Sequence, residues 1–175
     1  MFKRIEASAA CDKALIRIAG GDNEAISVIY EHCAKKIFFL ARSITRSDAD
    51  SEDVLQNTVL KIISSAKSYK PGTDAIAWIM TVARSCAISY IRSKHKDCPL
   101  DEALEAISDT ENYAEYEALY YALNRLAPDE RQIVIMKVQL SLKHKQIAQI
   151  LGITIDASQK RYRRAVEKLN KYYYR

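Results

Sequence analysis

The chain has few residues that interrupt a helix. Its 175 residues include only 4 glycines and 3 prolines, so the two strongest backbone breakers are rare and long helices are allowed. No apolar–polar alternation of strand type and no internal repeat occurs, which argues against sheets and solenoids. No apolar run approaches the roughly 20 residues that a bilayer crossing takes. The first residues carry Glu6 and Asp12 and no sustained apolar stretch, so neither a secretory leader nor membrane insertion is expected, and the chain is placed in the cytoplasm. Cys11, Cys33, Cys86 and Cys98 form no C-x-x-C pair, and His32, His95 and His144 are scattered. Reduced buried thiols are expected, with no metal site and no cofactor. No nucleophile–base pairing, phosphate loop or carboxylate pair at useful spacing stands out. No catalytic residue is assigned, so neither an enzyme nor a small-molecule substrate is expected.

What is present is hydrophobic content of 49%, enough for real cores, and a strongly uneven charge. From Thr154 to the C-terminus seven Lys/Arg face two acids, an excess equal to the +5 net charge of the whole chain. The surrounding stretch, Ser141 to Asn170, reads as two helices and a tight turn. Ile147, Ala148, Ile150 and Leu151 give the first helix an apolar side, and Gly152 stands where a helix end takes a left-handed backbone. Thr154 can cap the second helix. Ile155, Ser158, Tyr162, Ala165, Val166 and Leu169 form its expected inner face. Lys160, Arg161, Arg163, Arg164, Lys168 and Lys171 lie outside. This is a helix-turn-helix pattern, with a basic second helix suited to a DNA groove.

The rest of the chain reads as helices in order. A short one is expected over Cys11–Ala19, ended by Gly20-Gly21, and Asp22 or Asn23 caps a second running to about Arg42. A third begins at Ser47-Asp48, with Val54, Leu55, Thr58, Val59, Ile62, Ile63 and Ala66 inward. Tyr69-Lys70-Pro71-Gly72-Thr73-Asp74 is a turn. Thr73 or Asp74 caps a fourth helix with Ile76, Ile79, Met80, Ala83, Ala87 and Ile91 inward and Trp78 at the core edge. Residues 97–112 hold six acids, no Lys or Arg, and Pro99; they read as a linker with a short helical turn near Leu100–Ile107. A helix is expected from Tyr113 to Leu126, and Ala127-Pro128-Asp129-Glu130 starts another. The fold class is all-α: two helical domains, 1–96 and 113–175, joined by a flexible acidic linker.

Three stretches carry a family resemblance. Asp50–Val59 (DSEDVLQNTV) and Ala77–Arg92 (AWIMTVARSCAISYIR) resemble region 2 signatures of bacterial sigma factors. Ala122–Leu169 resembles their C-terminal region 4. Collinearity and length resemble the small extracytoplasmic-function (ECF) subgroup. The resemblance implies that the third helix docks on the clamp coiled coil of the RNA polymerase β′ subunit through Asp53, Leu55, Gln56 and Val59. It implies that the Pro-Gly loop and the next helix hold the −10 promoter element. An unstacked base would be captured there, with Lys67, Lys70, Gly72, Thr73, Trp78, Arg84, Arg92 and Lys94 in contact with DNA. Region 4 would read the −35 element, with Asp156, Ala157, Lys160, Arg161 and Arg164 toward bases and Thr154, Arg163 and Lys168 toward backbone. The implied partners are core RNA polymerase, promoter DNA and a cognate anti-sigma factor. Ser85, Ser89 and Asp156-Ala157-Ser158 depart from the family pattern. Ser158 puts a hydroxyl at an inner position, where a bond back to a carbonyl or a looser helix is expected. The competing reading is a stand-alone regulator that binds operators as a dimer. Whether the two domains pack together is left open by the sequence.

Overall fold

The computed structural model describes residues 2–94 and 122–173, with side chains from residue 6 to 172. The acidic linker, Cys98, His95 and the start of the helix expected from Tyr113 lie outside them. Among the described residues every regular element is helical. Helix α1 spans Phe2–Ala19 and so begins well before Cys11, because the apolar period extends into the first residues. Gly20-Gly21 ends it, with Gly21 at φ 100°. Asp22 does not cap the next element with its side chain. Arg17 draws that carboxylate back, at 2.6 Å. A single 3-10 turn, Asn23–Ala25, leads into α2, Ile26–Thr45.

Helix α3, Asp48–Ser65, begins where expected and is capped by Ser47, whose Oγ accepts the Asp50 amide at 3.2 Å. The α2–α3 corner needs Arg46 at φ 58°. Buried hydroxyls hold it there: Thr45 Oγ1 lies 2.7 Å from Ser51 Oγ, which itself donates to the Ser47 carbonyl at 2.5 Å. Helix α4 spans Ala75–Lys94. Asp74 is its cap, with Oδ1 accepting the Ala77 amide at 3.0 Å, while the Thr73 hydroxyl turns back to the Lys70 carbonyl. The expected α4 stripe from Ile76 to Ile91 is buried throughout, as are Val54, Thr58 and Ile62 of α3. Helices α2, α3 and α4 pack on one another, and α1 lies against α2 and α4. This packing brings Cys11 and Cys33, 22 residues apart, to an Sγ–Sγ distance of 3.7 Å. Both are buried free thiols, and the contact with Cys11 together with burial holds Cys33 well above the usual thiol range.

In the second lobe Ala122–Asn124 is helical, and α5 (Pro128–Val138), α6 (His144–Leu151) and α7 (Ile155–Tyr173) follow. Pro128 opens α5, and the Glu130 side chain accepts the Ala127 amide at 3.3 Å. Gly152, at φ 66°, ends α6 as expected, and the Ile153 amide closes the turn on the Ala148 carbonyl at 3.0 Å. Thr154 Oγ1 caps α7 by accepting the Ala157 amide at 3.1 Å. Two expectations on α7 change. Ile155 is 47% exposed and not on the inner face, since it sits in the first turn before the helix meets α6. Ser158 is fully buried, but its hydroxyl meets His144 Nδ1 at 3.0 Å instead of a backbone carbonyl. The His144 ring then rests edge-on against Tyr162, so the polar exception is satisfied across the two helices.

The lobes are not separate beads. One apolar cluster runs from Leu15, Ile29 and Ile37 through Ile76, Ile79, Met80 and Ala83 to Ile133, Met136, Leu142, Ile147 and Ile150. Helix α5 meets α2, and α6 meets α4. Because Met80 sits in this joint core, Met80→Ala should lower stability by about 2–5 kcal/mol and should shift melting of both lobes together. Two separate transitions, with only the first domain affected, would show the lobes to be independent.

Burial, and secondarily the charge of Lys137, lowers the titration point of His144. The folded protein therefore binds fewer protons here than the unfolded chain. The stability from neutral His144 is complete above its unfolded value of about 6.5 and is lost as pH falls below it. The melting temperature should drop from about pH 7 to about pH 5 more steeply in the wild type than in His144→Gln. Parallel curves would remove His144 from the pH dependence.

Candidate nucleic-acid and polymerase interface

The outer face of α3 is built by helical spacing. Asp53 and Gln56 are exposed, and Leu55 and Val59 are half-buried at the margin of the core. Leu60 continues the same ridge four residues after Gln56 and is 65% exposed. Sequence reasoning missed Leu60, although its position one turn beyond Gln56 was the available signal. The result is an aliphatic strip flanked by short polar groups, the form of a surface that accepts a partner helix. Its N-terminal end is cross-tied to α4: the Tyr90 hydroxyl lies 2.8 Å from Asp50 Oδ1 and 3.1 Å from Asp53 Oδ2, and Lys94 Nζ reaches Asp50 at 2.7 Å. Burial, then the Asp50 contact, raises the Tyr90 phenol above its usual range, so it stays a donor.

The loop between α3 and α4 is a closed turn. The Thr73 amide and hydroxyl both return to the Lys70 carbonyl, at 3.3 and 2.7 Å, and Gly72 adopts φ 76°. Lys67, Lys70, Pro71, Gly72 and Thr73 are exposed around it. Beneath it Tyr69 is buried and meets the edge of Trp78, with ring centroids 5.6 Å apart. Trp78 is half-buried, so it walls the loop and still presents part of its ring.

The basic residues of α4 are not all on the open surface. Arg92 is exposed, and Lys94 is exposed but paired with Asp50. Arg84, expected at DNA phosphates, is turned to the second lobe in this arrangement. Its Nε donates to Gln132 Oε1 at 2.9 Å, and its guanidinium lies 3.8 Å from Asp129. Asp74 is also engaged, because Gln146 Nε2 donates to its Oδ2 at 2.8 Å while Gln146 Oε1 accepts the Lys143 amide at 2.9 Å. Arg46 reaches the Asn124 carbonyl at 3.2 Å, and buried Arg131 reaches the Ser43 carbonyl at 3.5 Å. The joint between lobes therefore covers part of the surface expected to meet the −10 element.

Thr154 at the cap of α7 and Asp156, Lys160, Arg163, Arg164 and Lys168 on it are exposed, and Ala157 and Arg161 are half-buried. Three of its cations lie in exposed ion pairs: Lys160 with Asp156 at 2.9 Å, Arg161 with Asp129 at 3.4 Å, and Lys168 with Glu130 at 2.7 Å. Such pairs contribute about 0–1 kcal/mol and exchange readily for a phosphate. Asp129 stands between Arg84 of α4 and Arg161 of α7. Among the described residues no group of three or more His, Cys, Asp or Glu is placed to hold a metal ion, and no helix is long and apolar enough to cross a membrane.

This arrangement has known counterparts. The family model for Sigma-70 region 2 matches residues 29–96, and that for Sigma-70, region 4 matches residues 116–169. The chain is 31% identical over 160 residues to the RNA polymerase sigma factor CarQ of Myxococcus xanthus, covering 87% of this chain and 91% of that protein. It is 24% identical over 139 residues to the ECF RNA polymerase sigma factor EcfG of Rhodopseudomonas palustris, covering 77% of each. Among solved structures, CnrH in complex with the cytosolic domain of CnrY shares the fold at TM-score 0.71 and 18% identity, over 93% of this chain and 96% of that one. The sigma factor RpoE of Bartonella quintana, in complex with the anti-sigma factor NepR, does so at TM-score 0.70 and 22% identity, over 82% of this chain and 92% of that one. With two family regions in order on one all-helical scaffold, the chain belongs to the sigma-70 family, as a sigma factor of the ECF subgroup.

Proposed function

We propose that this chain carries core RNA polymerase to promoters by a division of surfaces, with residues 1–96 acting as region 2, 97–112 as tether and 113–175 as region 4. The exposed ridge of Asp53, Gln56 and Leu60 on α3, with Leu55 and Val59 at its base, supports docking on the β′ clamp coiled coil. It is the single observation that carries the reading, because a dimerising lobe has no need of this D-x-x-Q helix or of basic residues around the Pro-Gly loop beside it. The Lys70–Thr73 loop and α4 take the −10 element, with Lys67, Arg84, Arg92 and Lys94 at phosphates and Trp78 beside the melted strand. Helix α7 takes the −35 element. The chain itself breaks no bond; binding energy to unstacked bases offsets a cost of a few kcal/mol per base. It acts in the cytoplasm, where the polymerase and the promoter are.

The packed arrangement is the resting one. Arg84 and Asp74 face the second lobe in it, so full engagement of the −10 element requires the lobes to part, and docking on core polymerase supplies the replacement contacts. A cognate anti-sigma factor holds the protein inactive by covering the Gln56 and Arg161 surfaces or by wedging between the lobes. NepR, the anti-sigma factor bound in one of the two similar solved structures, makes a protein of that class the natural candidate.

The direct test is capture of purified bacterial core polymerase. Wild-type protein should retain core, and the Leu55→Ala, Gln56→Ala double variant should lose at least about tenfold in affinity, as expected for interface anchors. Binding of duplex DNA as a symmetric dimer without core would favour the operator-binding regulator instead. On α7, Arg163→Ala in the holoenzyme should weaken all promoters alike and reduce the salt slope by about 0.9. Arg164→Ala should relax base preference within the −35 element by about 1–3 kcal/mol. Exchanged behaviour of the two variants would reverse which arginine reads bases.

A further inference from the structure

Asp12 of α1 belongs to neither family signature and lies on none of the three surfaces above. It is nevertheless joined to the Pro-Gly loop across 60 residues: its Oδ1 accepts the Gly72 amide at 2.9 Å. The same oxygen lies 2.5 Å from the Tyr69 hydroxyl, which has the Thr73 carbonyl as a second acceptor at 3.2 Å. One carboxylate oxygen thus ties the first and fourth residues of the turn Tyr69-Lys70-Pro71-Gly72 to a different helix. Burial, then the bond to Asp12, pushes the Tyr69 phenol up to about 12, so it remains a donor at neutral pH. The bonds from Thr73 to Lys70 shape the turn internally, whereas those to Asp12 set where the turn stands relative to the helices. Nothing lies within 4 Å of where a Gly72 side chain would begin. That end of the loop is open, so a tether there matters more than it would in a packed corner.

We propose that Asp12 is a positioning residue for promoter opening: through Oδ1 it fixes the Tyr69–Thr73 loop where it receives an unstacked base of the −10 element. The proposal rests on the reading that this loop captures such a base. Fixing a loop before binding removes an ordering cost from the complex. Asp12 touches the strand nowhere in this scheme, and its negative charge beside DNA is unfavourable. The sign of the effect is therefore diagnostic. If Asp12 mattered only as a charge, Asp12→Ala and Asp12→Asn would both strengthen binding. As a positioning residue, Asp12→Ala weakens base capture, whereas Asp12→Asn keeps a carbonyl acceptor at Oδ1 and binds at least as well as wild type.

The experiment uses holoenzyme assembled from the full chain and purified bacterial core. The wild-type holoenzyme first selects a promoter from a randomised duplex library. The probe is the fluorescein-labelled non-template strand of that promoter, intact or with an abasic site walked through the −10 element. The quantity compared is the ratio of affinities for intact and abasic probes, because partial unfolding of a variant lowers both equally. Wild type should show a ratio of about ten or more at one position. Asp12→Ala should bring that ratio to within about twofold of one, Tyr69→Phe should fall between, and Asp12→Asn should restore it. A ratio that survives in Asp12→Ala overturns the role of Asp12 while leaving base capture standing. A wild type insensitive to every abasic site overturns base capture, and this proposal with it.

Discussion

The apolar seam in which α5 packs on α2 and α6 packs on α4 is the contact on which the rest of the structure depends. Ile79, Met80 and Ala83 from the first lobe and Ile133, Met136 and Ile147 from the second belong to one cluster with almost no solvent access. Burying each large aliphatic side chain contributes about 1.5–3 kcal/mol. The polar contacts at the rim are mostly partly exposed and contribute less each, but they set the register of one lobe on the other. Helix α4 therefore has two occupations: its inner stripe builds the first lobe and part of the seam, while its remaining faces hold the cations and Trp78 expected to face DNA. Parting the lobes exposes aliphatic surface, so an opened form needs a partner that covers it or replaces the lost contacts.

Charge follows from the same geometry. The acids that favour the start of α5, Asp129 and Glu130, also lie beside the cations of α7 and α4. They serve the helix dipole and occupy Arg161, Lys168 and Arg84 in the packed form. The Arg161–Asp129 pair is exposed and weak, so a polyanion with closely spaced phosphates displaces it at little cost, whereas Arg84 is partly buried in the joint and is freed only when the lobes part. The buried polar groups behave differently. Ser158 with His144, and Thr45 with Ser51, have matched partners inside the protein and act as fixed points of the helix-turn-helix and of the α2–α3 corner.

Much was legible in the sequence because local rules governed it. The buried stripe from Ile76 to Ile91 followed the helical period, Ser47 and Thr154 capped as short hydroxyl residues do, and Gly152 took the left-handed end of α6. The family followed from two motifs that each sit within one helix, α3 and α4, and from a third that runs through α5, α6 and the start of α7. The first residues of α1 and Leu60 were missed. The first carry only a sparse continuation of the apolar period, in Phe2 and Ile5, and the second is an exposed aliphatic whose meaning depends on what surrounds it.

Hydrophobic period, caps and breakers act over one to four residues, so the sequence by itself determined an all-helical fold class, the end of α6 and the starts of α3, α4, α5 and α7, and the basic outer face of α7. Contacts across 22 to 72 residues lay beyond that range: Cys11 with Cys33, Asp12 with Gly72, Gln146 with Asp74. They arise only when helix packing brings distant faces together, and a helix face does not record which other face will cover it. Tertiary structure alone decided that Arg84 faces the second lobe, that Ser158 is answered by His144, and that the Pro-Gly loop is held from α1.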